Sequence, residues 1–418
     1  MNDASPVDIC LFGATGFAGR LTARHLADRC GPAGLRLAVA GRSRERLEAI
    51  AADLPMPVEI LTADTEDATS LDRLARESRV VCSTVGPYAQ YGTPLVDACV
   101  RHGTDYLDLT GEVPWMRRSI DAFHDRAVQS GSRIVHACGF DSLPSDIGVL
   151  LAQEELRRRD GAYAGSLELR MERASGGFSR GTLDSMLLLI RAAVRDRRTR
   201  RILADPRSLE PGWPGSPSTS PGDEIDAKGP RSWKEATGAW SIPFFMDSVN
   251  GKVVRRSHAL AGYPYGRDFA YREVIPLGRG FRGFTAALLG RALFGAAVLL
   301  LVLPPTRFLL ARFVFPRPRS GPKAALEGRG GFHLTVRNGA SGAVVVEATA
   351  ERDPGYGATA IMLAESALLL AETRGAARPG GVLTPAIALG LDIVPRLAEA
   401  GVWIRSATGT DIAEDGGT

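Results

Sequence analysis

Ile9-Cys10-Leu11-Phe12-Gly13-Ala14-Thr15-Gly16-Phe17-Ala18-Gly19-Arg20 is the stretch on which the fold turns. It opens as a short apolar run, the pattern of a buried parallel strand. Gly13, Gly16 and Gly19 follow at three-residue spacing, and Leu21, Ala23, His25 and Leu26 continue as a helix. Strand, glycine turn and helix form the context in which this spacing predicts a dinucleotide site. A pyrophosphate rests on the free N–H groups of a helix N-terminus, and side chains in the turn would hold it away. Gly13 and Gly16 allow the tight turn and close approach, and Gly19 allows the helix to pack against the strand. Thr15 and Phe17 lie in the same turn. The ordinary alternative is a plain strand-to-helix connection.

The next strand separates these readings. Leu35-Arg36-Leu37-Ala38-Val39-Ala40 ends in Gly41-Arg42-Ser43-Arg44. An NAD-binding chain carries an acidic residue about 20 residues beyond the glycines, where it binds the ribose 2′-hydroxyl. Gly41 stands near that place, and the guanidinium groups of Arg42 and Arg44 with the Ser43 hydroxyl suit a 2′-phosphate. The expected cofactor is therefore NADP(H). A solvated helix start is the competing reading for the two arginines.

Around this unit, strand and helix signals alternate through the first third of the chain, which predicts a doubly wound parallel α/β sheet. Asp64 ends the third strand and either reaches an adenine ring or caps the next helix. Val80 to Val85 is the fourth strand, and Val85, Gly86, Pro87 and Tyr88 leave its carboxyl end, where open α/β sheets bind ligands. Asp105 to Glu112 reads as a fifth strand with its exit loop. Arg133 to Cys138 reads as a sixth, running into Gly139-Phe140-Asp141-Ser142-Leu143-Pro144-Ser145-Asp146.

From about Gly165 the pattern changes. Strand candidates at Ser166–Glu172, Ala239–Met246, Lys252–Ser257, Phe269–Ile275, Phe332–Arg337 and Ala343–Glu351 cluster with few helices between them. They predict a second α+β domain with a mainly antiparallel sheet. The expected division is 1–150, a Rossmann domain for NADP(H); 151–380, a substrate or dimerisation domain; and 381–418, a C-terminal helix and tail. Asp205 to Ser232 reads as a long loop.

Phe281 to Phe315 is rich in Leu, Phe and Val, is broken by Pro304-Pro305, and is flanked or punctuated by arginines at 279, 282, 291, 307, 312, 317 and 319. Its uncharged core, Ala292 to Thr306, falls short of the ~20 apolar residues of a spanning helix. It suits a peripheral contact with an anionic membrane or a lipid; a buried helical hairpin and a homodimer interface are the alternatives.

The composition excludes other classes. Net charge is +4 over 418 residues, too dispersed to indicate nucleic acid. Five cysteines without a CxxC pair indicate neither a disulfide framework nor a zinc site. Met1 to Asp8 is polar, so no signal peptide is expected and a cytoplasmic place is, with or without contact to the cytoplasmic membrane face.

Gly13 to Gly19, Ala40 to Ser43, Val85 to Tyr88, Tyr106 to Glu112, Gly139 to Asp146, Asp353-Pro354-Gly355-Tyr356 and Gly380 to Ala386 together resemble the saccharopine dehydrogenase-like family. The resemblance is to its branch of mycobacterial trans-acting enoyl reductases. It implies NADPH-linked reduction of a double bond in polyketide-derived envelope lipids, and a final helix that packs back near the Rossmann domain. An enoyl reduction needs a donor for the enolate oxygen and an acid for the α-carbon. Tyr88 is the first candidate, Asp141 and Ser142 follow, and His136 and Tyr91 stand outside them. The alternatives are a saccharopine-type amino-acid reductase and a non-catalytic NADP(H)-binding protein on a lipid surface.

Overall fold

The computed structural model describes residues 7–175, 180–214, 239–302, 330–374 and 379–407. The first half alternates as the sequence predicts: β1 (Val7–Phe12), α1 (Phe17–Ala33), β2 (Leu37–Gly41), α2 (Arg44–Ala52), β3 (Glu59–Thr62), α3 (Ala68–Arg76), β4 (Ser78–Ser83), α4 (Tyr88–His102), β5 (Asp105–Asp108), α5 (Val113–Ser130), β6 (Arg133–Val135) and α6 (Leu143–Asp160). The second half contains β7 (Ser166–Ser175), α7 (Arg180–Arg195), α8 (Arg197–Ala204), β8 (Ala239–Pro243), α9 (Asp247–Leu260), β9 (Ala270–Arg279), α10 (Gly280–Val302), β10 (Gly331–Asn338) and β11 (Val344–Ala350). A π-turn at Pro354–Ala358 leads into α11 (Thr359–Glu372), then β12 (Gly381–Leu383), α12 (Pro385–Leu389), α13 (Ile393–Glu399) and β13 (Val402–Ser406).

Two sheets organise the chain. The first has order β12-β6-β5-β4-β1-β2-β3 and is parallel throughout. The apolar residues of β1, β2 and β4 are buried on both faces, as helices above and below require. The second sheet, β13-β11-β10-β7-β9-β8, is antiparallel except where β7 runs alongside β9.

The described residues from 330 onward contribute to both sheets. Helix α11 is almost wholly buried and packs against α1. Its Glu365, without exposed side-chain surface, bonds His25 at 2.7 Å and pairs with Arg29 at 3.2 Å and Arg396 at 3.3 Å. Strand β12 then extends the parallel sheet beside β6, and β13 returns to pair with β11. The segment 381–407 is thus shared between the two halves.

Two local readings of the sequence are corrected. Lys252–Ser257, expected as a strand, is the middle of α9; the buried Asn250, Val253, Val254, Ser257 and His258 recur at helical spacing, and tertiary packing overrides the β-branched pair. The single C-terminal helix expected within 381–418 is instead two short helices, α12 and α13, divided at Gly390, whose φ is +62°. The apolar segment is a single helix, α10, through Val302. Its expected continuation to Phe315, and positions 215–232 of the expected long loop, lie outside the described residues.

Candidate active site

The parallel sheet reverses its strand order at β1, which pairs with β2 on one side and β4 on the other. Loops leaving β1 and β4 diverge there and open the crevice in which doubly wound folds hold dinucleotides. Gly13 lies at the centre with φ +96°; a Cβ on it would stand 2.7 Å from both Thr84 Oγ1 and Val85 Cγ2. A Cβ on Gly19 would sit 2.1 Å from the Gly13 carbonyl oxygen, so no side chain fits where α1 crosses the turn. Gly16 is the exposed N-cap of α1; no side chain caps that end and no acidic residue occupies its first turn. The free N–H groups of α1 are therefore open to an anion.

Arg42 and Arg44 are exposed at the end of β2, and Ser43 caps α2 by accepting from the Arg46 N–H at 3.4 Å. Arg42 has no partner among the described residues, and Arg44 reaches only Glu48, at 3.4 Å. The glycine cradle and these two cations fit NADP(H): the N-terminus of α1 would hold the pyrophosphate, and Arg42 and Arg44 would hold the 2′-phosphate. Asp64 belongs to its own turn, where Oδ1 accepts from the Glu66 N–H at 3.1 Å, while Asp67 rather than Asp64 caps α3. On the other side of β1 lie the carboxyl ends of β4, β5 and β6. Val85, Gly86 and Pro87 border that side, and a cis peptide joins Gly86 to Pro87.

The catalytic candidates separate on geometry. Tyr88 is buried, its ring stacked on Trp115 with centroids 5.6 Å apart. Its hydroxyl donates to the Ser83 carbonyl at 3.1 Å and accepts from the Leu109 N–H at 3.3 Å. Burial pushes this phenol well above its usual range. Tyr88 therefore ties the ends of β4 and β5 together, which corrects its placement as proton donor. Ser142 is corrected likewise: it is fully buried and donates to Asn250 Oδ1 at 3.1 Å, joining the loop after β6 to α9. His136 lies in the core, with Nδ1 2.8 Å from Asp108 Oδ2 and Nε2 2.8 Å from Ser119 Oγ. Tyr91 is exposed on α4.

Asp141 differs from these. It is half-buried in the loop after β6 and has no hydrogen-bond or ionic partner among the described residues. Its Oδ2 lies 3.7 Å from where a Cβ on Gly111 would stand, so the two exit loops meet at this carboxyl. Burial pushes its pKa up to about 6. A carboxyl raised to about 6 and without a partner keeps part of its proton just below neutral pH and is placed to give it away.

Several further residues contribute that the sequence reading did not single out for the site. Glu112 follows Gly111 and accepts from the Tyr88 N–H at 2.9 Å, the Ala89 N–H at 2.8 Å and the Ser185 hydroxyl at 2.7 Å, which fastens α4 and α7 to the loop after β5. Thr359 Oγ1 accepts from the Phe140 N–H at 3.1 Å and donates to the Pro354 carbonyl at 2.7 Å, which braces the Asp141 loop from α11. Tyr356 packs edge-on to Phe17 at 4.7 Å and covers the start of α1. The Asp353–Tyr356 stretch was a visible signal for this last contact; Asn250 and Thr359 had none.

Comparison with known proteins agrees with this geometry. Residues 9–135 match the saccharopine dehydrogenase NADP binding domain. The chain is 41% identical over 410 residues to a Mycobacterium tuberculosis protein named, provisionally, a trans-acting enoyl reductase, with 96% of this chain and 97% of that one covered. It is 37% identical over 411 residues to the trans-acting enoyl reductase of Mycobacterium bovis, with 94% and 96% covered. Saccharopine dehydrogenase (L-Glu forming) of Saccharomyces cerevisiae superposes with a TM-score of 0.48 at 14% identity, over 96% of this chain and 99% of that one. The chain is an NADP(H)-dependent oxidoreductase built on a saccharopine dehydrogenase-type NADP-binding domain, and it belongs to the trans-acting enoyl reductase family.

Proposed function

We propose that the protein reduces the C=C bond of an α,β-unsaturated acyl chain of hydrophobic, polyketide or lipid type, with Asp141 as the proton donor. The observation that carries the reading is the unpartnered Asp141 carboxyl, raised to about 6, where the loops after β5 and β6 meet. The reduced nicotinamide, when bound, supplies the hydride that the β-carbon of the substrate accepts. The π electrons then move toward the carbonyl oxygen, and the α-carbon takes a proton from Asp141. One hydride and one proton are added, and the carboxylate recovers its proton from solvent.

The surrounding residues keep the acid in place. Thr359 braces the loop from behind, Ser142 and Asn250 anchor its far end, and Tyr88 and Glu112 hold the facing loop still. Preorganisation of this kind avoids rearrangement during the reaction. The names of the relatives support an enoyl substrate, and the resemblance to the envelope-lipid branch is what points to a greasy acyl chain in lipid or glycolipid biosynthesis.

The test is NADPH consumption with a set of 2-enoyl thioesters of increasing chain length, beside the matching keto compounds and glutamate-derived imines. Consumption with enoyl thioesters, and its loss in Asp141→Asn with NADPH binding unchanged, supports the reading. Turnover confined to keto or imine substrates would overturn it.

A further inference from the structure

The surface of α10 points to a second role, independent of the reaction. Its first half is anchored: a Cβ on Gly283 would stand 3.1 Å from Trp240 Cδ1, one on Gly290 would stand 3.2 Å from Ile242 Cδ1, and Phe284 packs edge-on to Trp240 at 5.0 Å. Among the described residues, much of its remaining apolar surface is open. Phe281 is 78% exposed, and Leu288, Leu289, Leu293, Phe294 and Leu299 are each 54–61% exposed. These residues lie over more than half the helix circumference, and the helix is about 34 Å long at 1.5 Å per residue. An exposed patch of this kind on a soluble domain marks an interaction surface.

Charge identifies the partner. Between Glu273 and Glu327 the sequence holds seven arginines and one lysine and no acidic residue. Arg279 and Arg282 are exposed at the start of α10, beside Phe281. An apolar helix surface with Arg279 and Arg282 exposed at its start, in a stretch of sequence without acidic residues, matches a bilayer with anionic headgroups: the side chains enter the acyl boundary and the guanidinium groups meet the phosphates. A face for a second copy of this basic chain would set cation against cation. Arg291 stands midway along α10, and a guanidinium at that depth favours a helix lying in the interface over one crossing the bilayer.

We propose that α10 is a peripheral membrane-docking element that selects anionic bilayers. This goes beyond the reductase reading and does not depend on it. The test is flotation of the full chain with vesicles of phosphatidylcholine alone and of phosphatidylcholine with phosphatidylglycerol, together with the double variants Leu289→Glu/Leu293→Glu and Arg279→Glu/Arg282→Glu. All four positions are exposed, and NADPH binding and the thermal midpoint report whether the fold is kept. The expected result is flotation with the anionic vesicles only, reduced at least about tenfold by either double variant and weakened by salt as the Debye length shrinks. Equal flotation of the variants overturns the assignment to α10. No flotation of the wild type overturns the proposal outright. So does a wild-type dimer that the leucine variant converts to monomer, because a second copy would then cover the helix.

Discussion

Glu112 and Asp141 stand on neighbouring loops, after β5 and after β6, and the fold treats these two acids in opposite ways. Glu112 is surrounded by donors: two backbone N–H groups of α4 and the Ser185 hydroxyl converge on its carboxylate. Asp141 has no partner among the described residues, and burial alone pushes it up to about 6. A carboxylate committed to a helix N-terminus is part of the frame, because moving its charge would unseat the helix. A half-buried carboxyl without a partner can transfer its proton without breaking a hydrogen bond. The difference separates the scaffold of the site from its chemistry, although both residues are acidic, close in space and adjacent to Gly111 or its loop partner.

The largest expected effect breaks the comparison at Asp141. Asp141→Asn should lower kcat/KM by about 10²–10⁴-fold, the range of a lost general acid, with NADPH affinity and thermal midpoint unchanged. In the wild type the acid must be protonated, so kcat/KM should fall as pH rises through about 6, and the pH profile of the variant should lack that limb. Glu112→Gln tests the other side. It sets an amide N–H₂ against N–H donors and should destabilise the fold by about 2–3 kcal/mol, read by denaturant unfolding. A Glu112→Gln enzyme of normal stability that had lost its activity would reverse the two roles.

The same contrast exists among the cations. Arg133 is buried and holds Asp105, while its guanidinium also donates to the Leu370 carbonyl at 2.7 Å. Arg42 is exposed and without a partner among the described residues. Arg42→Ala should therefore weaken NADPH binding by about ten- to a hundredfold, measured by fluorescence titration, and leave weak NADH binding unchanged. Equal loss for both cofactors would remove Arg42 from the 2′-phosphate.

Glu273 sharpens the role of burial. It accepts from Tyr271 at 2.7 Å and from Asn250 at 2.9 Å, yet burial, reinforced by Asp247, pushes it up to about 7. Asp146 is also raised to about 7 by burial, although Ser257 and the Ala386 N–H donate to it. Partners hold a pKa down but do not cancel full desolvation. The folded chain then binds more protons than the unfolded one between the ordinary carboxyl range and about 7, so stability falls as pH rises through that window. Thermal melts should show a higher midpoint at pH 5 than at pH 8. Glu273→Gln should remove about 1–2 kcal/mol of that pH-dependent difference.

The parallel sheet was legible because its signals are local. The apolar run of β1, the Gly13–Gly19 spacing and the Arg42–Arg44 cluster each act within a few residues, and their backbone requirements leave few other solutions. Lys252–Ser257 was misread because two adjacent valines favour either element, and only the packing of α9 against β9 decides between them. Tyr88, Ser142 and Asp141 all follow closely on strand ends, and nothing in the local composition says which of the three keeps its polar group free. That depends on the ends of β4 and β5 for Tyr88, and on Asn250, more than a hundred residues away, for Ser142.

By itself, then, the sequence determined the dinucleotide frame, the preference for a 2′-phosphate and the existence of an apolar, basic-flanked helix, because each is set by side-chain type and short spacing. Only the tertiary structure decided which carboxyl is unpaired, how 381–407 is divided between two sheets, and that α10 keeps its apolar surface outside the core. Those outcomes depend on which distant groups meet, and burial and hydrogen-bond partnership belong to the contact rather than to the residue.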